Sequence, residues 1–432
     1  MDILDALGPL QRIGQLCNLW QWRLDTATRQ LQRSRWLEAY GCVVLLLSTG
    51  YLLYGLFDES RTADGESNET TNIGHTVDSI QLVGIRVAHA TALLEALLQR
   101  QAQGRFFAQL REIDREFANV LHLDLENGQF RSQMNRRALW MLSGYLVSQI
   151  FILFTKMLAP DSHFMIYWLC YLLPLLVCGV RYFQIYTAVQ IVHHRLEMLL
   201  RLLESLQLNE AEQPQPFVCK SIKEELEMET LAAACMQRLL AARKLYQRLW
   251  LLVALLNRCY GLSMLVNLGN DFLAITSNCY WIFLNFRRFA ASPYDFLQIV
   301  GSTLWSAPHL GNVLFLALIC ERAAYFVSSR RNLWHLCVHW HLTRTVFRLQ
   351  TTRLALSLHH IRVDLQNDSH NALITQFSLQ LLHQRLHFSA AGFFDVDCTL
   401  LYTIVGATTT YLIILIQFHM SEGSLSSGTA GG

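Results

Sequence analysis

Seven apolar stretches constrain the fold of this 432-residue chain more than any other feature. A helix needs about 20 apolar residues to cross the hydrocarbon core of a bilayer, and lipid cannot satisfy a backbone hydrogen bond that the fold leaves open. Charged residues make up only 16% of the chain, compared with roughly 25% in soluble domains. The sequence therefore predicts an all-α, polytopic membrane protein with seven transmembrane helices. The stretches are Glu38–Phe57, Val77–Leu98, Ala138–Leu158, Phe164–Ile191, Leu249–Leu284, Phe296–Val327 and Phe393–Met420.

The basic residues are distributed unequally between the two sides of these stretches. Of the 35 Lys and Arg residues, 28 fall on the side of the N-terminus, 3 on the opposite side and 4 within the stretches. Basic loops remain in the cytoplasm when a membrane protein is inserted. The distribution predicts an intracellular N-terminus and, after seven crossings, an extracellular C-terminus. Asn68 begins a glycosylation sequon on the predicted outer side, whereas the sequon at Asn367 lies on the inner side.

The apolar stretches and the basic loops between them divide the chain into five segments. Apolar residues also recur with helical spacing in Phe106–Leu125, Glu224–Leu249 and Leu373–Leu386, so we expect an inner helical bundle that is continuous with the spans. The residues from Ser424 onward are mostly small and polar, as in flexible linkers. The segments are a cytoplasmic N-terminal segment (1–37), the first six spans with cytoplasmic helical extensions (38–327), a cytoplasmic helical anchor region (328–392), the seventh span (393–420) and a linker-like tail (421–432).

Motifs for catalysis or cofactor binding are not found in the sequence. The eleven cysteines form no CxxC pair, and His383 and His387, one helical turn apart, lack the glutamate of a zinc-protease motif. No phosphate-binding loop, dinucleotide fingerprint or nucleophile elbow is present. The net charge of +2 provides no general attraction to nucleic acid. We expect no enzymatic activity, no metal, no cofactor and no nucleic-acid partner.

The last apolar stretch ends in a short signature. Thr410 and Tyr411 are followed by five apolar residues and then by Gln417 and Phe418. This pattern resembles the C-terminal signature of the insect gustatory receptor family. The resemblance implies a ligand-gated, non-selective cation channel in the plasma membrane of sensory neurons, opened by a small-molecule tastant. It also implies a homotetramer, or an assembly with related receptors, in which the seventh helix of each subunit lines a central pore.

Receptors for common sugars in this family typically carry Glu after the Thr-Tyr pair, but this chain has Leu412. The sequence is therefore closer to the bitter-type or fructose-type branches. As a pore helix, the last span offers threonine hydroxyls in its middle and an apolar end that can close by excluding water. The candidate pore and gate residues are Thr410, Tyr411, Ile414, Gln417 and Phe418. Asp395 and Asp397 are candidates for an acidic ring at the cytoplasmic exit, although acids are also favoured at a helix N-terminus.

Polar and ionisable residues within the spans are candidates for ligand contact. Such residues are costly in lipid and usually either pair with one another or serve a function. Arg86 and Glu95 are nine residues apart on one helix, so their partners must come from other spans. Aromatic residues near the outer ends also suit the membrane interface. The candidates for an uncharged, amphipathic ligand are Gln81, Arg86, Gln149, Tyr167, Trp168, Asn270, Asp271, Trp281, Trp305 and His309.

Two other classes of membrane protein compete with the channel, and the first of them shares the span count. A seven-span G-protein-coupled receptor has its N-terminus outside, which would place the 28 basic residues on the wrong side. A small-molecule transporter usually contains an internal repeat, and none is found at a fixed period. Both remain alternatives to the channel.

The predicted orientation can be tested with epitopes. An epitope placed after Met420 should be stained by antibody on intact cells, because the seventh crossing ends outside. An epitope in the 328–392 region should be stained only after permeabilisation. Staining of the C-terminal epitope only in permeabilised cells would reverse the orientation. Asn68→Gln, but not Asn367→Gln, should remove any attached glycan.

Overall fold

The structure is a computed structural model that describes residues 3–25, 31–65, 73–121, 123, 125, 127–157, 171–211, 222–288, 293–325, 354, 357–358, 361 and 368–429. The helices in these ranges are α1 (Ile3–Ala6), α2 (Gly8–Leu16), α3 (Arg35–Gly65), α4 (Ile73–Leu98), α5 (Arg100–Asn119), α6 (Asn127–Met157), α7 (Leu173–Ala211), α8 (Ile222–Arg288), α9 (Pro293–Tyr325), α10 (Asp368–His383) and α11 (Cys398–Thr429). Two antiparallel hairpins pair β1 (Trp22–Leu24) with β2 (Leu31–Arg33) and β3 (Ser389–Ala390) with β4 (Phe394–Asp395).

Each predicted apolar stretch, where the structure describes it, forms most of a long helix. By length and composition, α4, α7, α8, α9 and α11 are able to cross a membrane. Helices α3 and α6 have 31 residues each and cover the first and third predicted stretches. The predicted all-α membrane fold is thus confirmed. We call the two ends of the helical bundle inner and outer, following the predicted orientation. Residues 158–170, which include the start of the fourth predicted stretch, lie outside the described residues.

Helix α8 is the central element of the bundle. It has 67 residues and is therefore about 100 Å long. It packs against α4, α5, α7, α9, α10 and α11, so each of these helices is positioned relative to the same axis. Its inner part contains Glu224–Leu249, and the predicted continuity of that segment with the fifth span is confirmed.

The inner end is a packed helical bundle because its helices are amphipathic. In α5, Phe106, Leu110, Ile113 and Phe117 recur every three or four residues, and all four are buried. They share one apolar core with residues of α7 and α8, such as Leu249. The predicted helix at Phe106–Leu125 is observed as α5, which begins and ends about six residues earlier.

Helix α11 begins at Cys398, five residues after the predicted start of the seventh span. The residues before it form the hairpin of β3 and β4, and Ala391 and Gly392 take positive φ angles of 52° and 82° in its turn. Gly tolerates this backbone region at no steric cost, which explains its place at the turn. At the other end, α11 continues past Met420 to Thr429, so the first residues of the linker-like tail are helical.

A buried ion pair joins the inner helices. The guanidinium of Arg195 on α7 donates to both carboxylate oxygens of Asp114 on α5, at 2.7 and 3.0 Å, and to the side-chain oxygen of Asn127 on α6 at 2.8 Å. The Arg195 side chain is 1% exposed. This contact joins three helices. Separating them would leave a buried charge without its partner, which is strongly unfavourable, so the contact fixes their relative positions.

We expect Asp114→Asn to destabilise the protein by about 3–5 kcal/mol, because Arg195 then lacks its counter-charge. The measurement is the unfolding temperature of the purified protein in detergent. Lys244→Gln is the matched control, since Lys244 is 63% exposed and lies 3.7 Å from Glu116, and it should cost less than about 1 kcal/mol. Equal losses in the two variants would contradict a special role for the buried pair.

Candidate functional site

Helix α11 packs through one side on the other described helices. Thr408 is buried and Leu401, Ile404, Leu412 and Leu415 are half-buried. They recur every three or four residues and face α8 and α9. In the apolar stretch of α11, 11% of the residues are buried, compared with 78% in α7. Much of the last span is therefore left without contacts to the other residues that the structure describes.

The opposite side of α11 presents a stripe of small and polar residues. Thr403, Gly406, Thr410 and Gln417 are all exposed, and their spacing places them along one side of the helix. We call these four residues the polar stripe. The hydroxyls of Thr403 and Thr410 donate to the carbonyls of Thr399 and Gly406, at 3.2 and 3.0 Å. Their oxygens can still accept hydrogen bonds from water.

The other candidate gate residues lie beside this stripe. Ile414 is 39% exposed and Phe418 is 62% exposed. The ring of Tyr411 contacts Phe272 of α8, with ring centroids 5.8 Å apart. Because neighbouring residues on a helix point about 100° apart, Gln417 and Phe418 face different directions.

Two acidic side chains cap the N-terminus of α11. The carboxylate of Asp397 accepts a hydrogen bond from the backbone N–H of Thr399 at 2.9 Å. The carboxylate of Glu321, on the last turns of α9, accepts one from the N–H of Cys398 at 2.9 Å. Both acids satisfy N–H groups that have no partner within the helix. Asp397 therefore has the contacts of a helix cap, which is the alternative to a role in an acidic ring at the cytoplasmic exit. Asp395 is exposed in β4.

The chain between α10 and α11 is held along the surface of α8. We call residues 384–392 the connecting segment. An added Cβ at Gly261 of α8 would lie 3.0 Å from the backbone nitrogen of Ala391, so the two backbones are nearly in contact. Three α8 side chains donate to backbone carbonyls of the segment: Tyr246 to Gln384 (2.6 Å), Trp250 to Arg385 (3.2 Å) and Asn257 to His387 (3.0 Å).

A second buried ion pair lies next to this contact. Arg181 of α7 donates to Glu95 of α4 at 2.8 Å, and both side chains are at most 3% exposed. Glu95 also accepts hydrogen bonds from the backbone N–H groups of Leu262 and Ser263 in α8, at 2.8 and 3.0 Å. The expectation that Glu95 finds its partner on another span is thus confirmed. Arg181 also lies over the ring of Tyr260 at 4.5 Å.

A polar cluster lies in the outer half of the bundle. Asp271 of α8 is within 2.7 Å of a ring nitrogen of His309 on α9, and it accepts a hydrogen bond from the hydroxyl of Tyr182 on α7 at 2.5 Å. Trp305, one turn from His309, packs with its ring against Tyr171 at 5.8 Å between centroids. The structure thus brings together three of the predicted ligand residues, Asp271, His309 and Trp305.

Several buried polar atoms near this cluster have no hydrogen-bond partner in the described part of the protein. They include both amide atoms of Asn267, one turn before Asp271, the Asn270 oxygen and the second ring nitrogen of His309. The amide of Gln149 on α6 is also buried and has no partner there. A buried polar group without a partner is costly, so these atoms are candidates for hydrogen bonds to a bound molecule or to water.

The remaining predicted ligand residues have other contacts or lie elsewhere. Gln81 accepts a hydrogen bond from Ser277 at 2.9 Å, and Trp281 donates to Asp78 at 2.9 Å, so both join α4 to α8. The guanidinium of Arg86 lies 4.8 Å above the ring of Tyr51 on α3. Tyr167, Trp168, Asn68 and Asn367 lie outside the described residues.

Sequence reasoning did not identify Tyr182, Asn267 or Glu321 as site residues. Tyr182 directly follows Arg181, an ionisable residue within a span, so its place on the helix offered a signal. Glu321 lies near the predicted inner end of a span, where an acid is unremarkable. Its role depends on the hairpin that precedes α11, and the sequence pattern did not predict that hairpin.

The fold and these sites define a helical membrane receptor, and the comparisons with known proteins agree. The model of the 7tm chemosensory receptor family matches residues 7–422. The chain belongs to this family and, within it, to the insect gustatory receptors. A Drosophila melanogaster protein provisionally named gustatory receptor 2a is 56% identical over 100% of both chains.

Solved structures of an insect olfactory receptor have the same fold. The olfactory receptor OR5 from Machilis hrabei matches with a TM-score of 0.63 and 12% identity, covering 95% of this chain and 97% of the other. Its structure in complex with eugenol matches with a TM-score of 0.60 and 14% identity, covering 97% of this chain and 100% of the other. At these identities the comparison concerns the fold alone.

The cap between α9 and α11 gives a direct prediction. Glu321→Ala should accelerate hydrogen exchange at the amide of Cys398 by about two- to thirtyfold, because loss of a helix cap costs about 0.5–2 kcal/mol. Exchange mass spectrometry on the purified protein measures this effect. Glu321→Gln keeps an acceptor oxygen and should show a smaller change. If Glu321→Ala exchanges at the parental rate, the contact does not stabilise the helix.

Proposed function

We propose that this protein is a gustatory receptor that acts as a ligand-gated, non-selective cation channel. Four copies surround a central pore lined by α11, and a small-molecule tastant opens it. The chain works in the plasma membrane of sensory neurons, as a homotetramer or together with related receptors. The family, the helical membrane fold and the two sites described above support this proposal.

The polar stripe of α11 is the observation that carries the proposal. Thr403, Thr410 and Gln417 face away from the subunit, and polar groups that face lipid are unfavourable. The same side is favourable if it faces water in a pore or the same helix of a neighbouring subunit. Fourfold packing about α11 would place all copies of the stripe around one axis.

In the proposed assembly, the signature residues have different roles. Gln417 and Ile414 lie on or beside the stripe and face the axis in the proposed assembly. Phe418 lies to one side, where it would contact the neighbouring subunit and narrow the constriction. Tyr411 remains packed on Phe272 and holds the helix to its own subunit. A ring of apolar side chains at this level can close the pore by excluding water.

The outer polar cluster is the proposed tastant site. The unpartnered amide of Asn267, the unpartnered oxygen of Asn270 and the unpartnered ring nitrogen of His309, together with the ring of Trp305, suit an uncharged amphipathic molecule, and the amide of Gln149 is a further candidate contact. OR5, a receptor of the same fold, is described in complex with eugenol, and we propose a ligand of comparable size here. Leu412 favours a bitter compound or a fructose-like sugar over the common sugars.

The gate can be tested in cells that express the receptor. Phe418→Ala should raise current in the absence of tastant, and a shift of about 1.4 kcal/mol in the closed-to-open balance raises the open-to-closed ratio about tenfold. Gln417→Ala should change tastant-evoked opening without loss of surface expression. Val405→Ala is the matched control, because Val405 is 64% exposed but lies away from the stripe.

The assembly itself gives the clearest contrary result. If the purified protein is a monomer, or a tetramer whose axis is not lined by α11, the channel proposal fails. Variants that reach the surface and respond like the parent would place the gate elsewhere. A receptor that signals only through a G protein would favour the rival class.

The tastant site can be tested through an amide that has no partner in the protein. Asn267→Leu keeps a similar volume, so the protein should fold, but the tastant loses a hydrogen bond and the half-maximal concentration should rise about three- to tenfold. Asn278→Leu is the control, because the Asn278 amide already donates to Ala274 within α8 at 2.6 Å. Parental sensitivity in Asn267→Leu would place the tastant elsewhere.

A further inference from the structure

A cleft opens between the inner part of α8, the end of α4 and the connecting segment. Its volume is about 520 Å³, within the range of sites that hold drug-sized molecules. Part of its lining is apolar, with Leu98, Val253, Ala254 and Leu262, and the ring of Trp250 also lines it. The cleft is therefore large enough for a polar headgroup and has apolar surface beside it.

Two arginines, Arg258 and Arg385, lie among the polar residues that line the cleft, and the other polar residues, apart from Glu95, are His387, Gln99, Asn257 and Ser389. Arg258 of α8, together with Arg385 and His387 of the connecting segment, lines it and is exposed. Neither guanidinium group forms an ion pair or hydrogen bond with any residue that the structure describes. Glu95 is the one acid that lines the cleft, and its charge is already paired with Arg181. The cleft thus carries positive charge that nothing in the described protein neutralises.

The position of the cleft relative to the bilayer narrows the choice of ligand. Leu98 is the last residue of α4, and Trp250 lies one residue inside the predicted inner boundary of the fifth span. Tryptophan is enriched at the level of lipid headgroups. In the predicted orientation, this level is the inner leaflet, which contains anionic lipids that basic pockets between helices can bind.

We propose that this cleft binds the phosphate-bearing headgroup of an anionic membrane lipid. The phosphate lies between Arg258 and Arg385, whose planar guanidinium groups suit bidentate hydrogen bonds to phosphate oxygens. The glycerol and upper acyl chains lie against Leu98 and Leu262. A free phosphate compound shares the charge recognition but leaves this apolar surface uncovered, so the lipid is the better match.

The bound lipid would act on the pore through the connecting segment. Arg385 and His387 belong to the stretch that leads into β3, β4 and then α11. A headgroup between Arg385 and Arg258 would hold this stretch on α8 more firmly than the hydrogen bonds from Tyr246, Trp250 and Asn257 do alone. The lipid content of the membrane would therefore bias the position from which the pore helix starts.

The test uses the full-length receptor in nanodiscs of phosphatidylcholine, with and without phosphatidylinositol 4-phosphate. The phosphoinositide should raise the unfolding temperature of the parent protein. Each of Arg258→Gln and Arg385→Gln should weaken the apparent affinity about fivefold, and the double variant about 30-fold. Lys244→Gln, which removes a charge from α8 outside the cleft, should respond like the parent. The double Arg→Lys variant keeps the charge but loses the bidentate geometry, so its response should lie between those of the parent and the double Arg→Gln variant.

Three results would overturn the proposal. The first is a double Arg→Gln variant that keeps the parental lipid response. The second is a Lys244→Gln variant that loses the response to the same degree as the double variant, since equal loss indicates general surface attraction. The third is stabilisation of the receptor in phosphatidylcholine nanodiscs by a soluble inositol phosphate, because that result would assign the cleft to a free phosphate compound. None of these measurements needs tastant or current, so the outcome is independent of the proposed channel function.

Discussion

The architecture depends on one constraint, which is that a single helix of 67 residues serves as the common packing partner of most of the bundle. Because α8 runs from the inner end of the bundle into its outer half, the helices that pack on it at both ends are aligned to the same axis. The two buried ion pairs, Glu95–Arg181 and Asp114–Arg195, secure neighbouring helices at separate levels of the bundle. Each pair uses the low polarity of its surroundings, where an unpaired charge is not tolerated.

This arrangement places the outer cluster and the inner contacts on the same few elements. On α7, Tyr182 donates a hydrogen bond to Asp271 in the outer cluster, while its neighbour Arg181 forms the ion pair with Glu95. On α9, His309 belongs to the outer cluster and Glu321 to the cap of α11. A small displacement of either helix is therefore felt at both levels, because packed interiors do not deform gradually. Pro308, inside α9 and next to His309, removes one backbone hydrogen bond and permits bending there.

The helices were predictable from sequence because their signals are local. Apolar stretches of span length and helical spacing in the inner segments gave the membrane fold, the long extension of α8 and the positions of the described spans to within several residues. The hairpin before α11 was not predictable, since its strands have two residues each and its turn depends on contact with Gly261. The same limit applies to the site. Asp271, His309 and Trp305 were singled out as polar or aromatic residues in spans, but their convergence depends on helix packing that no single stretch encodes. Gln81 and Trp281 carried the same signal and join helices instead.

The close approach of Gly261 and Ala391 has a geometric consequence for an assembled pore. A Cβ at this position would lie 3.0 Å from the Ala391 nitrogen, which is tighter than most Cβ contacts, so the absence of a side chain at Gly261 favours one seat for the segment on the helix. The hairpin and α11 follow within a few residues. In an assembly of identical subunits, each pore helix would begin at the same level and angle. In the proposed tetramer, the small size of one glycine would thus help to keep the constriction symmetric, because each copy of the segment would be seated at the same position on α8.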